Sequence, residues 1–197
     1  MPLILASASP TRTRLLADAG VAVTTRPARV DEDALRAAMT AEGIRPRDQA
    51  DMLAEQKARR VAAQAPDAVV IGCDQVLDFR GEVWGKPADA DAARAQLLAL
   101  RGQTHHLHTA VVLYEAGAPV WRHVDEARLT MRDFSDAWLA GYIARAGAGI
   151  TETVGGYRIE AEGIRLFSRI DGDHFGILGL PLLPLLTYLG QRGMIES

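Results

Sequence analysis

Ala68-Val69-Val70-Ile71-Gly72-Cys73-Asp74-Gln75 is the stretch that decides the fold class. An unbroken aliphatic run of this length, ended by Gly72, reads as a strand buried on both faces, as in a sheet covered by helices. Cys73-Asp74-Gln75 is expected at the end of that strand. An acid there is a common metal ligand or base in α/β proteins, and a structural cap is the competing reading. Just upstream, Arg47 to Ala65 is Ala-rich with charges on one face, which predicts a helix. Just downstream, Leu77 to Trp84 predicts a hairpin turning at Arg80-Gly81.

The chain opens in the same style. Leu3-Ile4-Leu5-Ala6 reads as a buried strand, Ser9 as a helix cap with Pro10 in the first turn, and Gly20 as the stop. Val21 to Thr25 predicts a second strand and Asp33 to Met39 a turn or two of helix. Beyond the hairpin, Ala88 to Leu100 is helical, and Leu107–Tyr114 and Val120–Met131 predict two long strands. Asp136 to Arg145 predicts a helix capped by Ser135. Gly147 to Gly156 predicts a loop, Ile164 to Ile170 a strand, and Leu182 to Leu189 a final apolar helix. The expectation is an α/β fold with a mixed, twisted central sheet flanked by helices, in two lobes around a cleft, with residues 1–197 forming a single domain.

Bulk properties narrow the function. With hydrophobic residues at 48% and charged residues at 24%, the chain can fill a core. A net charge of −3 gives no general reason to bind nucleic acid or membrane, so any polyanion site must be a local cluster of Lys and Arg. Cys73 is the only cysteine, which excludes an internal disulfide. The start lacks the basic and apolar regions of a signal peptide. The apolar stretch Ile177 to Leu189 is interrupted by Gly179, Pro181 and Pro184, too short and broken to span a bilayer. A cytoplasmic protein is expected.

Four polar clusters fall near element ends. Ser7, Ser9, Arg12 and Arg14 surround a helix start, where hydroxyls, free N–H groups and a guanidinium can cradle phosphate; plain capping with solvated arginines is the alternative. Asp31-Glu32 is an acidic pair in a predicted loop, able to hold Mg²⁺. Lys57 lies on the predicted helix, where a lone Lys ordinarily decorates the surface. Gly72-Cys73-Asp74-Gln75 is followed by Gly85-Lys86-Pro87, whose restricted backbone suits a preorganised phosphate contact. Gly81 to Pro87 is not a P-loop, since a spacer residue is missing and Pro replaces Ser/Thr. Cys73 reads as a small residue completing a strand rather than a nucleophile. His106 and His108 share one strand face with His105 opposite, without zinc-type spacing. Asp171 and Asp173 flank Gly172 in a predicted turn.

Taken in order, these motifs resemble the Maf family of nucleoside triphosphate pyrophosphatases. The resemblance runs through Leu5-Ala6-Ser7-Ala8-Ser9-Pro10, Val30-Asp31-Glu32, Leu53-Ala54-x-x-Lys57-Ala58, Ile71-Gly72-x-Asp74 and Gly85-Lys86-Pro87. It continues through Gly102-x-Thr104-His105, Ile170-x-Gly172-Asp173 and Gly179-Leu180-Pro181, covering almost the whole chain. It implies a homodimer that uses a divalent cation, Mg²⁺ or Mn²⁺, to release pyrophosphate from a nucleoside triphosphate. Asp74 would accept a proton from the attacking water, and Glu32 with Asp74 would hold the metal. Arg12, Lys57 and Lys86 would contact the triphosphate, and Ser7 and Ser9 would bind substrate.

Several positions depart from the common family pattern. Thr11 replaces the first of two adjacent arginines, Glu152-Thr153-Val154-Gly155 replaces Asp-Lys-Ala-Gly, Gln75 replaces Thr, and Glu160 replaces the Gln of pyrimidine-preferring members. Gln75 and Glu160 resemble the branch that prefers 7-methyl-GTP, although Thr11 cannot stack on a base as that branch's aromatic can. An ionised carboxylate accepts both guanine donors, N1–H and N2–H, whereas the mixed amide of Gln suits uracil or thymine. A UTP- or dTTP-preferring enzyme, a non-catalytic nucleotide-binding regulator of cell division and a phosphatase releasing inorganic phosphate are the alternatives.

Overall fold

A computed structural model describes residues 1–196. Its sheet has seven strands: β1 (Leu3–Leu5), β2 (Thr24–Thr25), β3 (Val69–Phe79), β4 (Glu82–Trp84), β5 (Thr104–Glu115), β6 (Ala118–Met131) and β7 (Phe167–Asp171). Strand order is β2-β1-β3-β5-β6-β7, with β4 paired to the far end of β3. β2, β1 and β3 run parallel; the remaining pairs are antiparallel. The helices are α1 (Pro10–Asp18), α2 (Glu32–Ala41), α3 (Pro46–Ala62), α4 (Ala90–Leu100), α5 (Asp136–Ala146), α6 (His174–Ile177) and α7 (Leu182–Gln191). The mixed α/β class is as expected.

The long strands β3, β5 and β6 each contribute to more than one apolar core. At one end Ile4, Val70, Val112 and the inner face of α3 fill one side of the sheet, and Leu5, Ile71, Leu113, Leu16 and Leu185 fill the other. At the opposite end Leu77, Phe79, Leu107 and Leu129 pack with α4 and α5 residues Leu97, Leu100 and Leu139. Gln75 sits between two of these cores, after Cys73 and before Leu77, and Asp74 lies between Val70 and Val76 of the α3-side core. Among the described residues no helix is long and apolar enough to cross a membrane.

Several elements differ from expectation. β3 does not stop at Gly72: it continues to Phe79, so Asp74 lies mid-strand rather than at a strand end. The antiparallel ladder with β5, running from Val70↔Tyr114 to Asp78↔His106, carries the strand past the apolar run. Val21 to Thr25 yields only a two-residue strand on the sheet edge. Asp31-Glu32 is not a loop pair, because Asp31 caps α2 by accepting from Ala34 N and Glu32 is its first residue. Gly147–Gly156 is largely 3₁₀ turns, as is Glu162–Leu166, which shortens the predicted Ile164–Ile170 strand to Phe167–Asp171. The hairpin at Arg80-Gly81 forms as expected, with φ of 57° and 85° and Asp78 Oδ1 accepting from Gly81 N.

Candidate functional site

The site follows from a gap in the sheet. β1 pairs with β3 only through Leu5↔Ile71, and β4 joins the same side of β3 only at Leu77. Between them, among the described residues, this edge of β3 has no strand partner. The carboxyl end of a parallel strand next to such a break is where α/β sheets open a crevice. Arg12, one turn into α1, reaches into the gap. Its Nη1 donates to the Cys73 carbonyl (3.0 Å) and to Ser7 Oγ (3.3 Å), and its Nε donates to the Gly179 carbonyl (2.7 Å). Arg12 is therefore not a solvated helix decoration. Gly179 has φ of 101° and lies close enough that a Cβ there would sit 3.3 Å from Arg12 Nε.

Side chains alternate across β3, so Asp74 points toward α3 and Gln75 toward the opposite face. On the α3 side, Lys57 is buried, contrary to the ordinary expectation for a lone helical lysine. Its ammonium donates to Asp74 Oδ1 at 2.6 Å and pairs with Glu32 Oε1 at 2.7 Å. The fold thus brings the two carboxylates together on one cation. Asp74 Oδ2 is buried without a partner. Burial alone would raise the Glu32 carboxyl, but Lys57 and Arg36 outweigh it and hold it below its ordinary value. Lys86 feels Glu32, Arg12, Lys57 and Asp74; partial burial, with Arg12 and Lys57, holds its ammonium below its usual range against the two acids.

Ser7 is buried, its Oγ accepting from Ser9 N (3.1 Å) and from Arg12. Ser9 caps α1 as expected, its Oγ accepting from Arg12 N at 3.4 Å. Cys73 is fully buried and burial pushes its thiol up to about 11, which disfavours the thiolate a nucleophile needs.

On the other face, Gln75 and Glu160 line one pocket together with Thr11, Thr153, Tyr157 and Ile177. Four of the positions at which the sequence departs from the Maf pattern, Thr11, Gln75, Thr153 and Glu160, therefore share one cavity. Gln75 Nε2 is fully engaged, donating toward Thr109 Oγ1 (2.9 Å), Ile177 O (3.0 Å) and Gly176 O (3.1 Å). The hydroxyl proton of Thr153 is donated to Tyr157 O at 2.8 Å. What these two side chains have left to offer a ligand is acceptor oxygen.

Sequence reasoning missed Arg36, whose guanidinium bonds Glu32. The signal is its i,i+4 spacing from Glu32, which carries meaning only when Glu32 is helical. Among the described residues His105, His106 and His108 make no hydrogen bond or ion pair with Glu32 or Asp74. His105 is buried against Tyr157, while His106 and His108 stack on the opposite face of β5 as the alternation requires. Asp173 caps α6 by accepting from Gly176 N.

A family model described as Maf-like protein matches residues 2–192. A nucleoside triphosphate pyrophosphatase of Ruegeria pomeroyi is 53% identical, the match covering 100% of this chain and 99% of the relative. One of Roseobacter denitrificans is 55% identical, covering 98% of this chain and 96% of the relative. A 7-methyl-GTP pyrophosphatase of Mesorhizobium japonicum is 48% identical, covering 99% and 98% respectively.

Proposed function

The chain belongs to the Maf family, and on that premise we propose that it hydrolyses nucleoside triphosphates to the monophosphate and pyrophosphate at the open edge of β3. The observation that carries this reading is the single ammonium of Lys57 held between Glu32 and Asp74. Two carboxylates that share one cation, with a further carboxylate oxygen, Asp74 Oδ2, left unpartnered, are a donor set that fits a hard divalent ion. Mg²⁺ is commonly held by one or two protein carboxylates, with phosphate oxygens and water completing its shell. A bound Mg²⁺ or Mn²⁺ supplies compensation for charge on the triphosphate oxygens.

The remaining work falls to the chain's own groups. Asp74 Oδ2 takes the proton of the water that attacks the α-phosphorus. Arg12, with Nε and Nη1 anchored to Gly179, Ser7 and Cys73, presents the rest of its guanidinium to phosphate. Lys86 and Lys57 offset charge gathering on the departing pyrophosphate. Ser7 and the N-terminal turn of α1, capped by Ser9, border the same space. No covalent enzyme intermediate is required, in keeping with the raised Cys73 thiol.

The base occupies the pocket of Thr11, Gln75, Thr153 and Glu160. Its acceptor-rich lining favours the donor-bearing edge of guanine, and of its 7-methyl derivative, over uracil or thymine. Action as a homodimer in the cytoplasm belongs to the same proposal, and light scattering tests the dimer. The decisive experiment is product analysis with purified protein and Mg²⁺ across canonical and methylated nucleotides. Stoichiometric pyrophosphate and monophosphate are expected; inorganic phosphate, or binding without turnover, would replace this reading with one of its rivals. Faster turnover of UTP or dTTP than of any guanine nucleotide would overturn the base assignment alone.

A further inference from the structure

Glu32 is gripped from two sides. Lys57 takes Oε1 (2.7 Å) and Arg36 Nη2 takes Oε2 (2.8 Å), one turn along α2. The Arg36 side chain is only 15% exposed although it carries a full charge, and its Nε is buried without a partner. Its other terminal nitrogen reaches the exposed Asp33 at 3.2 Å. The guanidinium also lies against the backbone that leads into Lys86, since a Cβ built on Gly85 would stand 3.6 Å from Arg36 Nη1. Arg36 thus fixes one oxygen of Glu32 and lies near the Gly85-Lys86-Pro87 segment.

We propose that Arg36 is a positioning residue for the divalent cation: it holds Glu32 by Oε2 so that Oε1 stays turned toward Asp74. The inference rests on the metal-dependent reading above. The two bonds to Glu32 are not equivalent. Lys57 sits between the carboxylates, where a cation shared by both acids would replace its contact with Oε1. Arg36 holds the other oxygen, Oε2, so its bond survives cation binding at Oε1. Groups that orient a metal ligand from behind commonly govern affinity by one to two orders of magnitude. A guanidinium suits this task because its second terminal nitrogen, bonded to Asp33, steadies the first on Oε2.

The sign of the effect separates this role from plain electrostatics. Arg36 carries a positive charge beside a proposed cation site, so its Coulomb contribution opposes metal binding. Removing that charge alone would tighten binding. Loss of the positioning function weakens it.

The test is Mn²⁺ binding to the full-length protein, read from the free-ion electron paramagnetic resonance signal without substrate. Arg36→Met and Arg36→Lys are compared with wild type, and circular dichroism verifies that each is folded. A dissociation constant raised about tenfold or more in Arg36→Met, with partial recovery in Arg36→Lys, is the expected result. In steady-state assays the same loss appears as a higher Mn²⁺ requirement, with kcat largely retained at saturating metal. Unchanged or tighter binding in Arg36→Met while wild type binds Mn²⁺ overturns this inference alone. Should the wild-type protein leave all Mn²⁺ free, both the inference and the metal reading fall.

Discussion

Gly72 on β3 and Ala54 on α3 are in contact so close that a Cβ added to Gly72 would stand 2.2 Å from the Ala54 carbonyl oxygen. The same atom would meet Ala58 N at 2.7 Å and Ala58 Cβ at 2.8 Å. This contact sets how near the helix lies to the strand, and so whether Lys57, one turn beyond Ala54, can reach Asp74, two residues beyond Gly72. The pair of small residues is thus the structural basis of the Lys57–Asp74 bond.

Gly72→Ala is accordingly expected to lower stability by at least about 2 kcal/mol, because backbone and Cβ atoms of a packed helix cannot yield as a flexible side chain can. The urea midpoint should fall, and turnover should fall with it as Lys57 is displaced. An unaltered midpoint would show that α3 is not held at this distance.

Breaking the pair from the other side separates folding from chemistry. Lys57→Met leaves both Asp74 oxygens buried without a partner, which costs about 3–5 kcal/mol. Asp74→Asn is expected to remain folded and to lose at least about a hundredfold in kcat. In the Lys57→Met/Asp74→Asn double variant, removal of the stranded charge should restore part of the stability while activity stays low. A denaturant-based double-mutant cycle measures the coupling; additive losses would mean that the bond contributes nothing to folding.

Much of the site could be read from the sequence because its parts are local. Ser9 and Pro10 announce the start of α1, and the aliphatic run before Gly72 announces β3. The burial of Lys57 could not be read this way. It depends on the approach of α3 at Gly72 and on Asp74 lying inside a strand, and the latter depends on β5, some thirty residues away in sequence. Arg36 follows for a related reason: the i,i+4 pair exists only because Asp31 is the cap and Glu32 the first helical residue, and a helix boundary is not fixed to the residue by sequence pattern. The Thr11, Gln75, Thr153 and Glu160 positions were visible as departures from the family pattern. Their convergence on one pocket required the fold.

In that pocket, Glu160→Gln exchanges a carboxylate that accepts twice for an amide that accepts and donates. The ratio of kcat/KM for guanine over uracil nucleotides should fall at least about tenfold, the equivalent of one charged hydrogen bond. Competition between GTP or 7-methyl-GTP and UTP measures it directly. A ratio left unchanged would remove Glu160 from base recognition.

His105 makes acid sensitivity a property of the fold rather than of the Glu32–Asp74 pair, through Tyr157, which also lines the proposed base pocket. Its ring is fully buried, bonded through Nε2 to Tyr157 Oη at 2.7 Å and packed against Phe167, with Nδ1 unpartnered. Burial first, and the neighbouring His106 second, push the His105 imidazolium down from 6.5 to about 4. A group that binds its proton more weakly when folded favours the folded state at pH values above its unfolded pKa. That contribution declines as pH falls from about 6.5 toward 4 and is lost below, amounting to something on the order of 3 kcal/mol. Urea midpoints measured across this window should therefore drop with acidity. His105→Phe, whatever its effect at neutral pH, should flatten that part of the profile, since its side chain has no proton to gain. A wild-type profile no steeper than that of His105→Phe would show that the ring is not the group whose protonation loosens the fold.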